Sequence, residues 1–182
     1  LAVYKKLAEV NPAAPKNRIE HLGLPTEAQL DLIHKLGVHI VTQPIFLKEL
    51  SKNFIQSLDT DYLNFCYPFK SMLAKKINVS FSTDAPVVKD IRPLSCIEAA
   101  VNRLGADKQS IAPEEKISLE ESIYCYTMGS ALANRVEKRQ GSIKAGKKAD
   151  FIVLEHNPFL VKTTDLSTIR IEKVWCNGKQ LL

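Results

Sequence analysis

The chain has 182 residues, of which 45% are hydrophobic, 25% charged and 7% aromatic, with a formal net charge of +5. That length and apolar content support one sizeable core and a small second unit, and no apolar run reaches the length of a membrane span. The basic excess is spread out, its densest groups being the pairs Lys5-Lys6, Lys75-Lys76 and Lys147-Lys148. Without a basic stripe and interleaved aromatics, solvated helix faces explain it better than nucleic acid does.

In chain order, Val3, Leu7 and Val10 share one helical face. No Ser, Thr, Asp or Asn stands before Leu1 to cap that helix and no initiator Met is present, so the segment reads as the tail of a helix and the chain as a fragment of a longer one. After the Pro-rich link Asn11-Pro12-Ala13-Ala14-Pro15, residues 18–22 form a short strand ending at Gly23. Thr26 and Gln29 are spaced as a capping box, Leu30, Ile33 and Leu36 line the helix that follows, and Gly37 stops it. Residues 38–42 read as a second strand, ended by Gln43-Pro44, and Phe46 to Leu58 as a helix or a lid-like loop. Phe69, Met72, Leu73 and Ile77 mark an amphipathic helix leading into a third strand at 79–83.

Strand, helix, strand, helix, strand with short connections is the signature of parallel βαβ units. Two helices follow. Leu94, Ile97, Val101 and Leu104 face the first, with Gly105 as its stop. Ser118 and Glu121 cap the second, whose stripe is Leu119, Ile123, Tyr126, Leu132 and Val136. From about Lys138 the pattern turns to β: a glycine-bracketed turn at 141–147, strands at 150–154 and 169–176, and the hairpin signal Asn177-Gly178 returning into 179–182. The division is thus 1–137, α/β, and 138–182, a small β portion. Cys66, Cys96, Cys125 and Cys176 form no Cys-x-x-Cys pair. Three of them lie in apolar segments, which points to reduced, buried thiols and a cytoplasmic setting.

The chemistry centres on Ser82-Thr83-Asp84-Ala85-Pro86. Pro86 cannot donate to a ladder, so Asp84 sits where the third strand gives way to a loop. In barrel folds of the α/β class, catalytic side chains project from that strand edge; a turn-forming Asp is the other reading. His34 lies in a helix beside Lys35 and reads as a surface residue, His39 as core or rim, and His156 as solvent-facing in a turn. His21 stands at the end of a strand, as Asp84 does. A His and an Asp at two strand ends of one α/β unit point to metal-assisted chemistry, and both donors suit a divalent metal such as zinc. Taken alone, His21 reads as a structural histidine more often than as a ligand.

Arg18-Ile19-Glu20-His21, Gln43-Pro44, Ser82 to Val87, Leu119 to Ala131 and Gly141 to Leu154 together resemble the amidohydrolase superfamily, most closely its N-substituted formamide deformylase-like branch. The glycine-bracketed segment before Asp150 is the most specific match, and Ser-Thr-Asp-Ala-Pro the next. The resemblance implies a (β/α)8 barrel flanked by a β-sandwich. His21 would end the sixth strand as a metal ligand, Val38 would start the seventh, and Asp84 would end the eighth, binding metal and carrying the proton. Residues from about 138 would be the C-terminal strands of the sandwich. The branch's His-x-His, its bridging carboxylated Lys or Glu and its fifth-strand His have no counterpart here, so the chain resembles the C-terminal half only.

What the resemblance implies is a hydrolase of a carbon–nitrogen bond of the non-peptide amide type, acting on a small-molecule substrate through a metal-activated water. One or two ions, zinc by preference, would serve the complete enzyme, and the 182 residues alone are expected to be inactive. A deaminase-like or cyclic-amide hydrolase of the same superfamily, and a non-catalytic structural or interaction module derived from the fold, are the alternatives. Neither a nucleic-acid nor a membrane partner is expected. Open strand edges call for a homo-oligomer or for pairing with the missing N-terminal half.

Overall fold

The computed structural model describes residues 1–13 and 17–182; Ala14 and Pro15 of the Pro-rich link lie outside them. Three strands, β1 (Arg18–Glu20), β2 (His39–Thr42) and β3 (Val79–Phe81), form a parallel sheet in that order. Register pairs Ile19 with Ile40 and Ile40 with Val79, and one residue on it pairs Glu20 with Val41 and Val41 with Ser80. Because strand side chains alternate in face, the sheet has an apolar side and a mixed side. Ile40, Val79 and Phe81 pack on the apolar side into one core with Leu30, Ile33, Phe69 and Met72. Arg18, Glu20, Val41 and Ser80 stand on the other side and line a cavity.

The strands are shorter than their apolar patterns suggest. His21 and Leu22 have φ of 71° and 49°, and Asp84 has φ of 58°. The chain therefore leaves the sheet through left-handed residues at both site positions. One ladder bond survives past each end: His21 N donates to Val41 O at 2.7 Å and Ser82 N to Thr42 O at 2.9 Å.

Helix α1 (Ala2–Val10) leaves Val3 and Val10 exposed, whereas Leu1 and Tyr4 pack on the core. Helix α2 (Glu27–Leu36) has the full capping box of Thr26 and Gln29 and ends on left-handed Gly37. The 46–58 stretch is helical, as α3 (Phe46–Glu49) and α4 (Ser51–Ser57), and α5 (Thr60–Asn64) and α6 (Phe69–Ala74) follow before β3.

Two helix ends differ from the sequence pattern. Helix α7 (Pro93–Asn102) stops at Arg103, φ 56°, and not at Gly105. Arg103 is fully buried and donates to Ile111 O at 2.9 Å, Tyr67 O at 2.9 Å and Cys66 O at 2.6 Å, with Phe69 under its guanidinium. Three bonded carbonyls offset the left-handed strain, although burial still pulls its pKa down to about 10. The helix read over 119–136 is instead α8 (Leu119–Tyr124), a π turn at Cys125–Gly129 and α9 (Ser130–Ala133), so Val136 lies beyond it. The π turn lets Gly129 approach β3 closely: a Cβ there would meet the Val79 carbonyl oxygen well inside 3.0 Å.

A second sheet is antiparallel, β4 (Phe151–Leu154), β5 (Ile171–Cys176) and β6 (Lys179–Gln180). Its hairpin turns through Asn177, φ 50°, and Gly178, φ 78°, the two positive values a type I′ turn demands. Leu166 and Ile169, ahead of β5, pack with Ile97 of α7 in a small second cluster. Cys66, Cys96 and Cys125 are buried and Cys176 is exposed, all as free thiols. Among the described residues no helix is long and apolar enough to cross a membrane.

Candidate active site

Parallel strands bring their C-terminal ends to one edge, so what the loops after β1, β2 and β3 carry meets there. A cavity of about 510 Å³ opens at that edge, and His21, Gln43, Ser82 and Asp84 all line it. Its far wall comes from the segment after α8, as Tyr126, Ser130 and Asn134. Those three are spaced four residues apart and face one way.

The loops after β1, β2 and β3 are joined by side-chain hydrogen bonds, whereas the buried Tyr126 hydroxyl has no hydrogen-bond partner among the described residues. His21 Nδ1 lies 2.9 Å from Gln43 Oε1, and Gln43 Nε2 donates to Ser82 Oγ at 2.8 Å. The His21 ring stacks on Phe46, centroids 6.2 Å apart at 17°. Phe46 in turn meets Tyr67 edge-on at 6.4 Å, and the Tyr67 ring lies against Gly23, where a Cβ would come within 2.7 Å of it. Gly23, read as a strand stop, is therefore also the gap that admits this ring beside the His21 loop. Burial, and then the charges of Cys66 and Asp84, push the Tyr67 phenol up to about 12.

Asp84 is half-buried, and its carbonyl accepts from Val87 N at 2.9 Å. The loop beyond it is held by Glu49, whose carboxylate accepts from Lys89 N at 2.9 Å and Asp90 N at 2.7 Å. Arg92 grips the Asp90 carboxylate, holding it well below the usual carboxylate range, and donates to Ser167 O at 3.1 Å. The Asp84 loop is thus tied to α3 at one point and to the segment ahead of β5 at another.

On the cavity floor Arg18 pairs with Glu20 at 2.7 Å and donates to Asn134 Oδ1 at 2.7 Å. Ser130 Oγ donates to Cys125 O at 2.9 Å, which makes Ser80 the donor in the 2.8 Å Ser80–Ser130 contact.

The two residues singled out from the sequence, His21 and Asp84, do line one cavity. His34 is exposed on α2, His39 sits half-buried inside β2, and His156 is exposed in the turn after β4. Polar side chains that the sequence reading left without a role also reach the cavity, Gln43, Ser82 and Asn134 among them. Gln43 had one local signal, its place between the end of β2 and Pro44. Among the described residues no group of three or more His, Cys, Asp or Glu is assembled as a metal site. One imidazole and one carboxylate fit two of the roughly four positions a zinc-like ion takes.

An α/β chain with its donors at the C-terminal edge of a parallel sheet has its ligand site where that class places it. The family model described as Amidohydrolase family matches residues 1–182, and the chain belongs to that family. It is 29% identical to the Bacillus subtilis protein YtcJ over 186 residues, covering 98% of this chain and 35% of that one. To the N-substituted formamide deformylase of Arthrobacter pascens it is 25% identical over 180 residues, 98% of this chain and 33% of that enzyme. In three dimensions it is similar to an uncharacterized metal-dependent hydrolase from Pyrococcus horikoshii, with a TM-score of 0.74 and 27% identity over 88% of this chain and 32% of that one. The chain therefore spans about a third of these relatives' length, less than the half expected from its motifs.

Proposed function

We propose that these residues are the C-terminal third of a metal-dependent hydrolase that cleaves a carbon–nitrogen bond of the non-peptide amide type. His21 and Asp84 are two of its metal ligands, and Asp84 also carries the proton. The observation behind this reading is that both side chains line one cavity at the C-terminal edge of the parallel sheet, although 63 residues separate them. Family membership and a relative that acts on an N-substituted formamide support the bond type. Likeness to a metal-dependent hydrolase supports the metal, and an imidazole with a carboxylate favours zinc. The three parallel strands fit the sixth to eighth of a barrel, in that order.

When bound, such an ion supplies a water of lowered pKa, about 7 on zinc. The chain's own part is then positional and acid–base. Asp84 takes a proton on its carboxylate and returns it to the leaving nitrogen, acting first as general base and then as general acid. Its left-handed backbone and the Glu49 clamp on the following loop hold the carboxylate at the cavity rim.

The test is Asp84→Asn in a polypeptide completed to the length of the relatives. Asn keeps the volume and an acceptor oxygen but not the charge or the transferable proton. Turnover of an N-substituted amide should fall by about 10²–10⁴, with metal-free melting unchanged. Activity within a few-fold of the parent overturns the assignment. Residues 1–182 alone should hold less than one tightly bound equivalent of zinc and hydrolyse no amide.

A further inference from the structure

We infer that Gln43 is a positioning residue: it sets the tautomer of His21, placing the ring proton on Nδ1 and the lone pair on Nε2. The consequence for metal binding rests on the proposed role of His21; the tautomer itself rests on geometry alone.

The backbone of Gln43 is committed by its neighbours. It follows the last residue of β2, Pro44 follows it, and its carbonyl accepts from Phe46 N at 3.1 Å to open α3. The carboxamide is thereby held between the ends of β1 and β3 with only 2% of the residue exposed. Its two ends take different partners. Nε2 donates to Ser82 Oγ at 2.8 Å, which turns Oε1 toward His21 Nδ1 at 2.9 Å. A carbonyl oxygen only accepts, so Nδ1 must be the N–H. A neutral imidazole with its proton on Nδ1 has its one lone pair on Nε2, the atom this contact leaves free.

A ring flip about Cβ–Cγ would keep the stack on Phe46 but turn a carbon toward Gln43 Oε1 and lose this bond. Phe46 stacks on one face, and the backbone is fixed on Val41 O at φ 71°. Histidines that ligate metals generally donate their other N–H to a carboxylate or carbonyl, and loss of that acceptor typically costs about 10–100-fold in metal affinity. Here a neutral carboxamide does this, and its far end reaches Ser82, two residues before Asp84. One side chain therefore ties together the two loops that carry the proposed ligands.

The experiment uses the metal-free chain labelled with ¹⁵N at histidine, with long-range ¹H–¹⁵N correlations read at about pH 8, above the ordinary histidine range. The parent should show His21 as the Nδ1–H tautomer. Gln43→Leu removes the acceptor and should shift the ring toward Nε2–H, the form free histidine prefers. Gln43→Glu keeps an acceptor at the same reach and should retain Nδ1–H. Should Gln43→Leu fail to fold, Ser82→Ala carries the test, because it releases the far end of the carboxamide and should give a mixture of tautomers. Titration with Zn²⁺ of the polypeptide completed to the relatives' length forms a second arm, expected to show about 10–100-fold weaker binding for Gln43→Leu and recovery in Gln43→Glu. A parent ring protonated on Nε2, or a tautomer indifferent to both Gln43→Leu and Ser82→Ala, overturns the inference whatever the zinc result. A tautomer that follows Gln43 upholds it; a zinc affinity of the completed polypeptide that ignores Gln43→Leu removes the ligand role of His21 instead.

Discussion

Replacing Gly129 by Ala separates local propensity from tertiary fit, because the two predict opposite signs. Gly129 has φ −57° and ψ −44°, an ordinary right-handed helical conformation. By propensity alone, Ala in that conformation would stabilise the chain by up to about 1 kcal/mol. The packing says otherwise. A Cβ at 129 would fall well inside 3.0 Å of the Val79 carbonyl oxygen, a backbone atom of β3 that no rotamer change can move. The π turn must then lift off the strand, and two bonds stretch with it: Asn78 Nδ2 to Gly129 O, now 3.0 Å, and Ser80 to Ser130, now 2.8 Å. Two net hydrogen bonds are worth about 1–3 kcal/mol together, and overpacking adds about 1–3 kcal/mol. The sum is a loss of about 2–6 kcal/mol, or a fall in Tm on the order of 10 °C for a chain of this size. Gly146→Ala is the control, since it has φ +86° and no atom within 4 Å of its Cβ position; it should lose only the left-handed strain, about 1–2 kcal/mol. Thermal melts followed by circular dichroism decide. A Gly129→Ala chain that melts at or above the parent temperature refutes the close approach of the π turn to β3.

Arg103→Lys keeps the charge but cannot reach three divergent carbonyls. With one or two left unpaired it should lose about 2–4 kcal/mol in urea unfolding, and a Lys variant as stable as the parent would show that the guanidinium contacts are not what holds α7 and the Cys66–Tyr67 turn. The buried thiols give an alkaline limit: burial pushes Cys66 and Cys96 up from 9.0 to about 11, and Cys125 up to about 12. A raised folded pKa means that this stabilisation is fully present below about pH 9 and is lost as pH climbs through 11–12. Stability should therefore fall by at most about 1.4 kcal/mol per pH unit per thiol, and a flat profile from pH 9 to 11 would contradict the burial. In the same chain at neutral pH, a thiol reagent should label Cys176 quickly and the other three only on unfolding.

What was legible in advance follows one physical rule. Thr26 with Gln29, Ser118 with Glu121, left-handed Gly37 and the Asn177-Gly178 turn are all satisfied by neighbours within a few residues. Their geometry is therefore written in short stretches of sequence. Apolar periodicity likewise placed three strands between helices, and with them His21 and Asp84 at strand ends, because burying one face needs only a repeating pattern.

What escaped is long-range. Arg103, not Gly105, ends α7 because its guanidinium binds carbonyls 36 and 37 residues away. The 119–136 helix breaks into a π turn because Gly129 fits against a strand 50 residues earlier. The patterns that marked strands at 18–22 and 79–83 overran, because the chain turns left-handed at His21 and Asp84 to bring both side chains to the cavity. Gln43 is the sharpest case. In sequence it is a polar residue before a proline, and nothing beside it names a partner. Only the parallel register of β1, β2 and β3 puts its carboxamide between residues 22 before it and 39 after it. Composition, periodicity and turn chemistry thus determined the α/β class and placed two of the cavity's lining residues at strand ends, since each depends on nearby atoms alone. The orientation of those residues was decided by the tertiary structure, because a hydrogen bond is directional and its partners come from different strands.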